Sequence, residues 1–211
     1  MARLIDPGIE MLRNMLRDMA ALSERSVETA IAAYAQNRPV TKEIFEWSEE
    51  LSLLHNQASD LAVELIARYQ PVASDLRYIK SCFEISYGFE RLGRYAYDVA
   101  QIIDAFGDLS NCDNTEIRRV GDMVRKMVHQ GAEAFFGKDI VAAEKLKPMD
   151  DVVDESYREH IRRMASQEVG DPRCSVAVTL VMRYLERMAD HACYMGDSAI
   201  YVVTGSKRSI R

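Results

Sequence analysis

Residues 178–202 read VTLVMRYLERMADHACYMGDSAIYV, and within them Val178, Val181, Leu185, Met188, Ala192, Met195, Ala199 and Val202 step by three and four. That period draws one apolar stripe along a helix. A second stripe, Cys82, Ile85, Phe89, Leu92, Ala96, Val99, Ile103 and Phe106, lies 96 residues earlier at every position. The same offset lays Asp75 on Asp171, Arg77 on Arg173 and Glu90-Arg91 on Glu186-Arg187 without a gap. The two segments therefore read as copies in a duplicated chain.

Working outward, punctuation at Asn37-Arg38-Pro39, Gln70-Pro71, Gly107 through Asn114, Gly137-Lys138-Asp139 and Gly170-Asp171-Pro172 cuts the 211 residues into six long segments. Asp6-Pro7 and Asp171-Pro172 read as an N-cap with proline at the first helical position, and Thr41, Ser74, Thr115 and Asp139 are further candidate caps. A second-segment stripe (Ile44, Trp47, Leu51, Leu54, Ala58, Leu61, Leu65) and a fifth-segment one (Leu146, Met149, Val153, His160, Met164) complete the pattern. A 30-residue helix is about 45 Å long and needs such a stripe packed on neighbours. The fold expected is all-α: two antiparallel three-helix bundles in series, at 1–107 and 115–211, joined by 108–114. Pro148 predicts a kink or restart inside the fifth helix.

Composition narrows the function. With 48% apolar and 28% charged residues, 10 Gly and 5 Pro, the chain suits long helices over a sandwich of short strands. A net charge of −6 argues against a nucleic-acid binder. No leader pattern and no apolar run long enough for a membrane span stand out, so a cytoplasmic protein is expected. Cys82, Cys112, Cys174 and Cys193 lack CxxC spacing and read as reduced thiols. The 11 methionines read as core filler.

Enzyme templates are missing. No P-loop, GxGxxG, GxSxG or HExxH pattern occurs. The Glu-x-x-His signature of di-iron bundles fails too, because Ser52, Lys126, Tyr157 and Met188 stand three before His55, His129, His160 and His191. Carboxylates carry the remaining chemistry. Glu186 and Asp190 lie one turn apart on the sixth segment, opposite its apolar stripe together with Cys193 and Asp197, and are expected to face outward. Asp150 and Asp154 repeat the spacing on the fifth. Two such pairs on neighbouring helices could converge on a divalent or trivalent metal, and hard oxygen donors suit iron, manganese, magnesium or calcium better than copper. The plainer alternative is a solvated acidic face paired with Arg183 and Arg187. His191 is a possible further ligand, while His160 sits on the stripe as a packed histidine.

Gln70 through Arg77 (QPVASDLR), Leu185 through Asp190 (LERMAD) and Tyr201 through Gly205 (YVVTG) resemble segments of the PhoU family, and the resemblance spans nearly the whole chain. It implies paired three-helix bundles with metal clusters held by Glu or Asp-x-x-x-Asp motifs in each half. Asp150, Asp154, Glu186 and Asp190 match the second-half motifs. In the first half Glu90 matches, but Arg94 replaces the usual Asp and the best register sets Ser48 and Ser52 opposite Asp150 and Asp154. A guanidinium there repels a cation and can neutralise Glu90, so metal is expected in the second half at most. Tyr194 also departs from the Asn common in the family. The implied role is a non-catalytic negative regulator of phosphate uptake and homeostasis. Its implied partners are the ATPase subunit of the phosphate ABC transporter and, where present, a sensor histidine kinase, with membrane complexes met only peripherally and a homodimer possible. The alternative is a helical metal-binding scaffold regulating a different transporter or kinase.

Overall fold

The computed structural model describes residues 3–166 and 170–206. Seven helices follow one another: α1 (Asp6–Gln36), α2 (Thr41–Tyr69), α3 (Ala73–Phe106), α4 (Thr115–Gly137), α5 (Ile140–Glu144), α6 (Leu146–Ser166) and α7 (Pro172–Thr204). Strands are absent among the described residues. No described helix is long and apolar enough to cross a membrane.

The expected fifth helix is divided in two. Pro148 has no N–H to donate, and in a continuous helix its ring would press on the carbonyl of residue 144. Glu144 is where α5 ends. The restart at Leu146 puts Pro148 in the first turn of α6, where a missing donor costs nothing. Of the expected caps, Asp171 and Asp139 hold: Asp171 accepts from the Arg173 N–H at 2.8 Å and Asp139 from the Ala142 N–H at 3.0 Å. Asp6, Thr41, Ser74 and Thr115 do not cap. Ile5, Val40, Val72 and Asn114 precede those helices instead, and Asp6 accepts from the Arg3 N–H upstream.

The duplicated helices α3 and α7 lie against each other and run antiparallel. Tyr95 meets Tyr184, Gly88 faces Met195, and Arg77 reaches the Val202 carbonyl, so numbers rise on one helix as they fall on the other. α1 and α4 are antiparallel as well, through Arg118 to Ala35, Arg125 to Glu28 and His129 to Glu24. Two copies packed in this sense are related by a pseudo-two-fold axis, as in an isologous dimer. α2 packs outside α1 and α3, while α6 packs outside α4 and α7. One continuous core runs from Ile5 to Val202, so the two successive bundles are fused side to side.

This fusion overturns two expectations. Glu186 and Cys193 do not face outward but are buried, because α7 has α3 on one side and α4, α5 and α6 on others. Nor are all cysteines reduced: Cys112, between α3 and α4, is disulfide-bonded to Cys174 in the first turn of α7, with their Cα atoms 5.4 Å apart across 62 residues. The return of α7 to the linker creates that proximity, which spacing along the chain does not encode. Cys82 and Cys193 are free and buried.

Candidate metal centre

Asp150 stands one turn into α6, next to core residues Leu146 and Val153, and is completely buried. Asp154 follows one turn later and is half-buried; Asp190 is half-buried on the facing stretch of α7. One oxygen from each of these three carboxylates lies within 4.8 Å of the others. At an effective dielectric of about 20, ionised carboxylates that close repel by about 3 kcal/mol per pair. Cations on α6 offset part of this. Lys147 Nζ is 3.7 Å from Asp150 Oδ2 and 2.7 Å from Asp151 Oδ1, and Arg158 donates to Asp154 Oδ2 at 2.8 Å. These cations stand three or four residues from their carboxylates along the same helix.

The donor set is all hard oxygen, which fits a divalent or trivalent cation. The neighbouring Cys193 offers no soft thiolate, because burial first, and then Asp150, Asp197 and Asp190, push its thiol up. Glu186, the fourth expected ligand, lies one turn before Asp190 and is buried, with Arg183 donating to its Oε2 at 2.8 Å.

His191 belongs to different surroundings. Its ring is 6.0 Å from Tyr87, 5.7 Å from Tyr95 and 5.6 Å from Tyr194, centroid to centroid. Burial, and then Arg91 and Arg187, push its imidazole down to about 4, so it is neutral at pH 7. Two of these rings come from the other half of the chain, a meeting that helical periodicity cannot reveal. His160 is packed as expected, with Nε2 2.9 Å from Thr179 Oγ1.

In the first half, Ser48 is buried, Ser52 and Glu90 are half-buried, and Arg94 is exposed. Ser48, Leu51 and Ser52 share the burial pattern of Asp150, Val153 and Asp154. Arg94 turns away from Glu90, contrary to expectation: its Nε is 3.9 Å from Asp98 Oδ1 and its guanidinium lies 5.4 Å from the Tyr97 ring centre. Glu90 stands at the same four-residue spacing on the other side of Arg94, so spacing alone does not select Asp98. Among the described residues the carboxylate trio of α6 and α7 is the one group able to gather around an ion.

Comparison with known proteins agrees with this architecture. The PhoU domain pattern matches residues 16–103 and 117–199, one match per half. A Pseudomonas putida protein named phosphate-specific transport system accessory protein PhoU homolog is 29% identical over 94% of this chain and 80% of its own length. A Synechocystis protein of the same name is 31% identical, covering 90% and 86%. The crystal structure of PhoU from Pseudomonas aeruginosa superposes with a TM-score of 0.86 at 29% identity, over 95% of this chain and 99% of that one. The PhoU structure from Streptococcus pneumoniae shares the fold at 19% identity, with a TM-score of 0.86 over 97% and 99%. With both halves matched and the paired bundles superposed, the chain belongs to the PhoU family.

Proposed function

We propose that this protein is a non-catalytic, cytoplasmic accessory regulator that lowers phosphate uptake when phosphate is plentiful. It would act on the ATPase subunit of a phosphate ABC transporter and, where one exists, on a sensor histidine kinase. The observation that carries this reading is the match of both halves to a family whose relatives are named accessory proteins of a phosphate-specific transport system. A regulator of this kind needs no reacting group; it shifts a transporter between states through unequal affinity for them.

Asp150, Asp154 and Asp190, with Glu186 one turn away, would hold a metal, iron being one candidate. Its contribution would be structural, neutralising the carboxylates and fastening α6 to α7. The first half, with Ser48, Ser52 and Arg94, would hold none.

The test is phosphate uptake and co-purification with the tagged ATPase subunit, in cells with and without this protein, at high and low phosphate. Faster uptake at high phosphate in its absence, with co-purification in its presence, is expected. Unchanged uptake and no co-purification would overturn the reading.

A further inference from the structure

A band of rings and guanidinium groups crosses four helices on one face. From α2, Phe45 and His55 meet Tyr97 and Tyr87 of α3, with ring centres 5.3 and 6.2 Å apart. Tyr87 and Tyr95 of α3 surround His191, and Tyr95 also meets Tyr184 of α7 at 6.0 Å. On the far side, Arg183 of α7 lies 5.7 Å from the Tyr157 ring of α6. Arg91, 4.7 Å over Tyr95, and Arg187 both act on His191, and Arg94 and Arg187 both act on Tyr184, so the cations share this face.

Two features distinguish the band. The first is charge. Arg94 is taken by Asp98 and Arg183 by Glu186, whereas neither Arg91 nor Arg187 has a carboxylate within 4 Å among the described residues, although Glu90 is adjacent in sequence. These two are equivalent positions of the repeat and flank the pseudo-two-fold axis. The second is exposed aromatic area: Tyr87 is 49% and Tyr194 43% exposed. Arginine and tyrosine dominate the energetics of protein interfaces. A face spread over four helices suits a polypeptide better than a small molecule. The chain as a whole carries −6, and Asp98, Glu186 and Asp190 stand on these same helices, so the attraction is local to the two guanidinium groups and not a field of the whole face.

We propose that this band docks an acidic segment of a partner protein, with carboxylates on Arg91 and Arg187 and apolar side chains over Tyr87 and Tyr194. The inference deepens the regulatory reading and rests on it only for the partner's identity. The assay below contains no transporter component, so failure of the docking surface and failure of the regulatory role are separable.

The probe is a fluorescein-labelled peptide of repeated Glu-Glu-Phe, titrated by anisotropy at low ionic strength, beside a Lys-Lys-Phe control. Phosphatidylcholine vesicles with and without phosphatidylglycerol form a separate arm. Arg91→Glu/Arg187→Glu should weaken the acidic peptide at least ten-fold. Arg38→Glu/Arg68→Glu, which changes net charge equally at exposed positions elsewhere, should change it less than two-fold. Tyr87→Ala/Tyr194→Ala removes two exposed rings that also pack on His191, so its melting temperature is measured alongside; at unchanged melting temperature it should weaken binding several-fold, which keeps the test decisive if the double arginine variant misfolds. Equal loss in the two charge-reversal pairs, no binding by the wild type, equal binding of the lysine peptide, or binding to anionic vesicles without binding to the peptide would each overturn the proposal.

Discussion

Tyr95 and His191 occupy equivalent positions in the two halves, 96 residues apart, and their ring centres lie 5.7 Å from each other. A residue touches its own counterpart only near the axis that relates the copies. The pair thus marks the pseudo-two-fold between α3 and α7. It also places a half-buried titratable ring where the halves are fused.

His191 has its folded pKa lowered to about 4 from 6.5, chiefly by burial. The unfolded chain binds this proton more readily, so stability is fully present above about 6.5 and falls as pH drops toward 4. The difference corresponds to about 3 kcal/mol across that window. His160, also lowered by burial, acts in the same direction. His191→Phe should keep the ring packing and remove most of the excess pH dependence. Urea midpoints for both proteins between pH 7.5 and 4.5 check this; parallel curves would show that the imidazole is not the linked group.

The repeat, the stripes and the helix starts at Asp139 and Asp171 were legible because each is a local pattern. The acidic pairs on α6 and α7 were legible for the same reason. Their surroundings were not. A helix wheel gives α7 one apolar face and assigns Glu186 and Cys193 to solvent, but a central helix in a fused pair keeps only a narrow strip exposed, and only the packing of α5 and α6 discloses it. The Cys112–Cys174 bond and the ring cluster around His191 likewise depend on contacts between distant segments. Their one sequence trace is the equivalence of positions 95 and 191, which says that they match but not that they touch.

The metal reading separates the halves sharply. Protein purified anaerobically should lose its metal on Asp190→Ala or Asp150→Asn and retain it on Glu90→Ala, as read by elemental analysis per chain. Restoring Arg94→Asp alone should add none, since Ser48 and Ser52 supply no carboxylate. Chelation should lower the melting temperature of the wild type and leave the Asp190→Ala protein unchanged. Equal metal loss from the Glu90 and Asp190 variants would place ligands in both halves and end the one-sided account.

The disulfide encloses α4, α5 and α6 in a loop spanning 62 residues. By the chain-entropy relation a cross-link of that span stabilises by about 4 kcal/mol through the unfolded state. Cys112→Ser should therefore lower the thermal midpoint as much as full reduction does, and reductant should have no further effect on the variant. Alkylation with and without reductant, read by intact mass, should show two cysteines protected in the wild type. Protection of Cys82 and Cys193 by burial is distinguished by repeating the alkylation in denaturant, where they react and the bonded pair does not.

Two glycines of α4 test how closely the helices around the axis approach. A Cβ built at Gly131 would sit 2.9 Å from the Ala192 carbonyl oxygen of α7 and 3.3 Å from Met195 Cβ, and a backbone oxygen in a packed helix cannot move aside. Gly131→Ala should cost about 1–3 kcal/mol by overpacking, outweighing its gain in helix propensity. At Gly137, the last residue of the same helix, the added methyl meets nothing within 4 Å. Gly137→Ala should be neutral or stabilising by up to about 1 kcal/mol, because it restricts the unfolded chain at a position where alanine fits. Denaturant midpoints decide between the two expectations. A Gly131→Ala protein as stable as Gly137→Ala would mean that α4 and α7 do not approach this closely at Gly131.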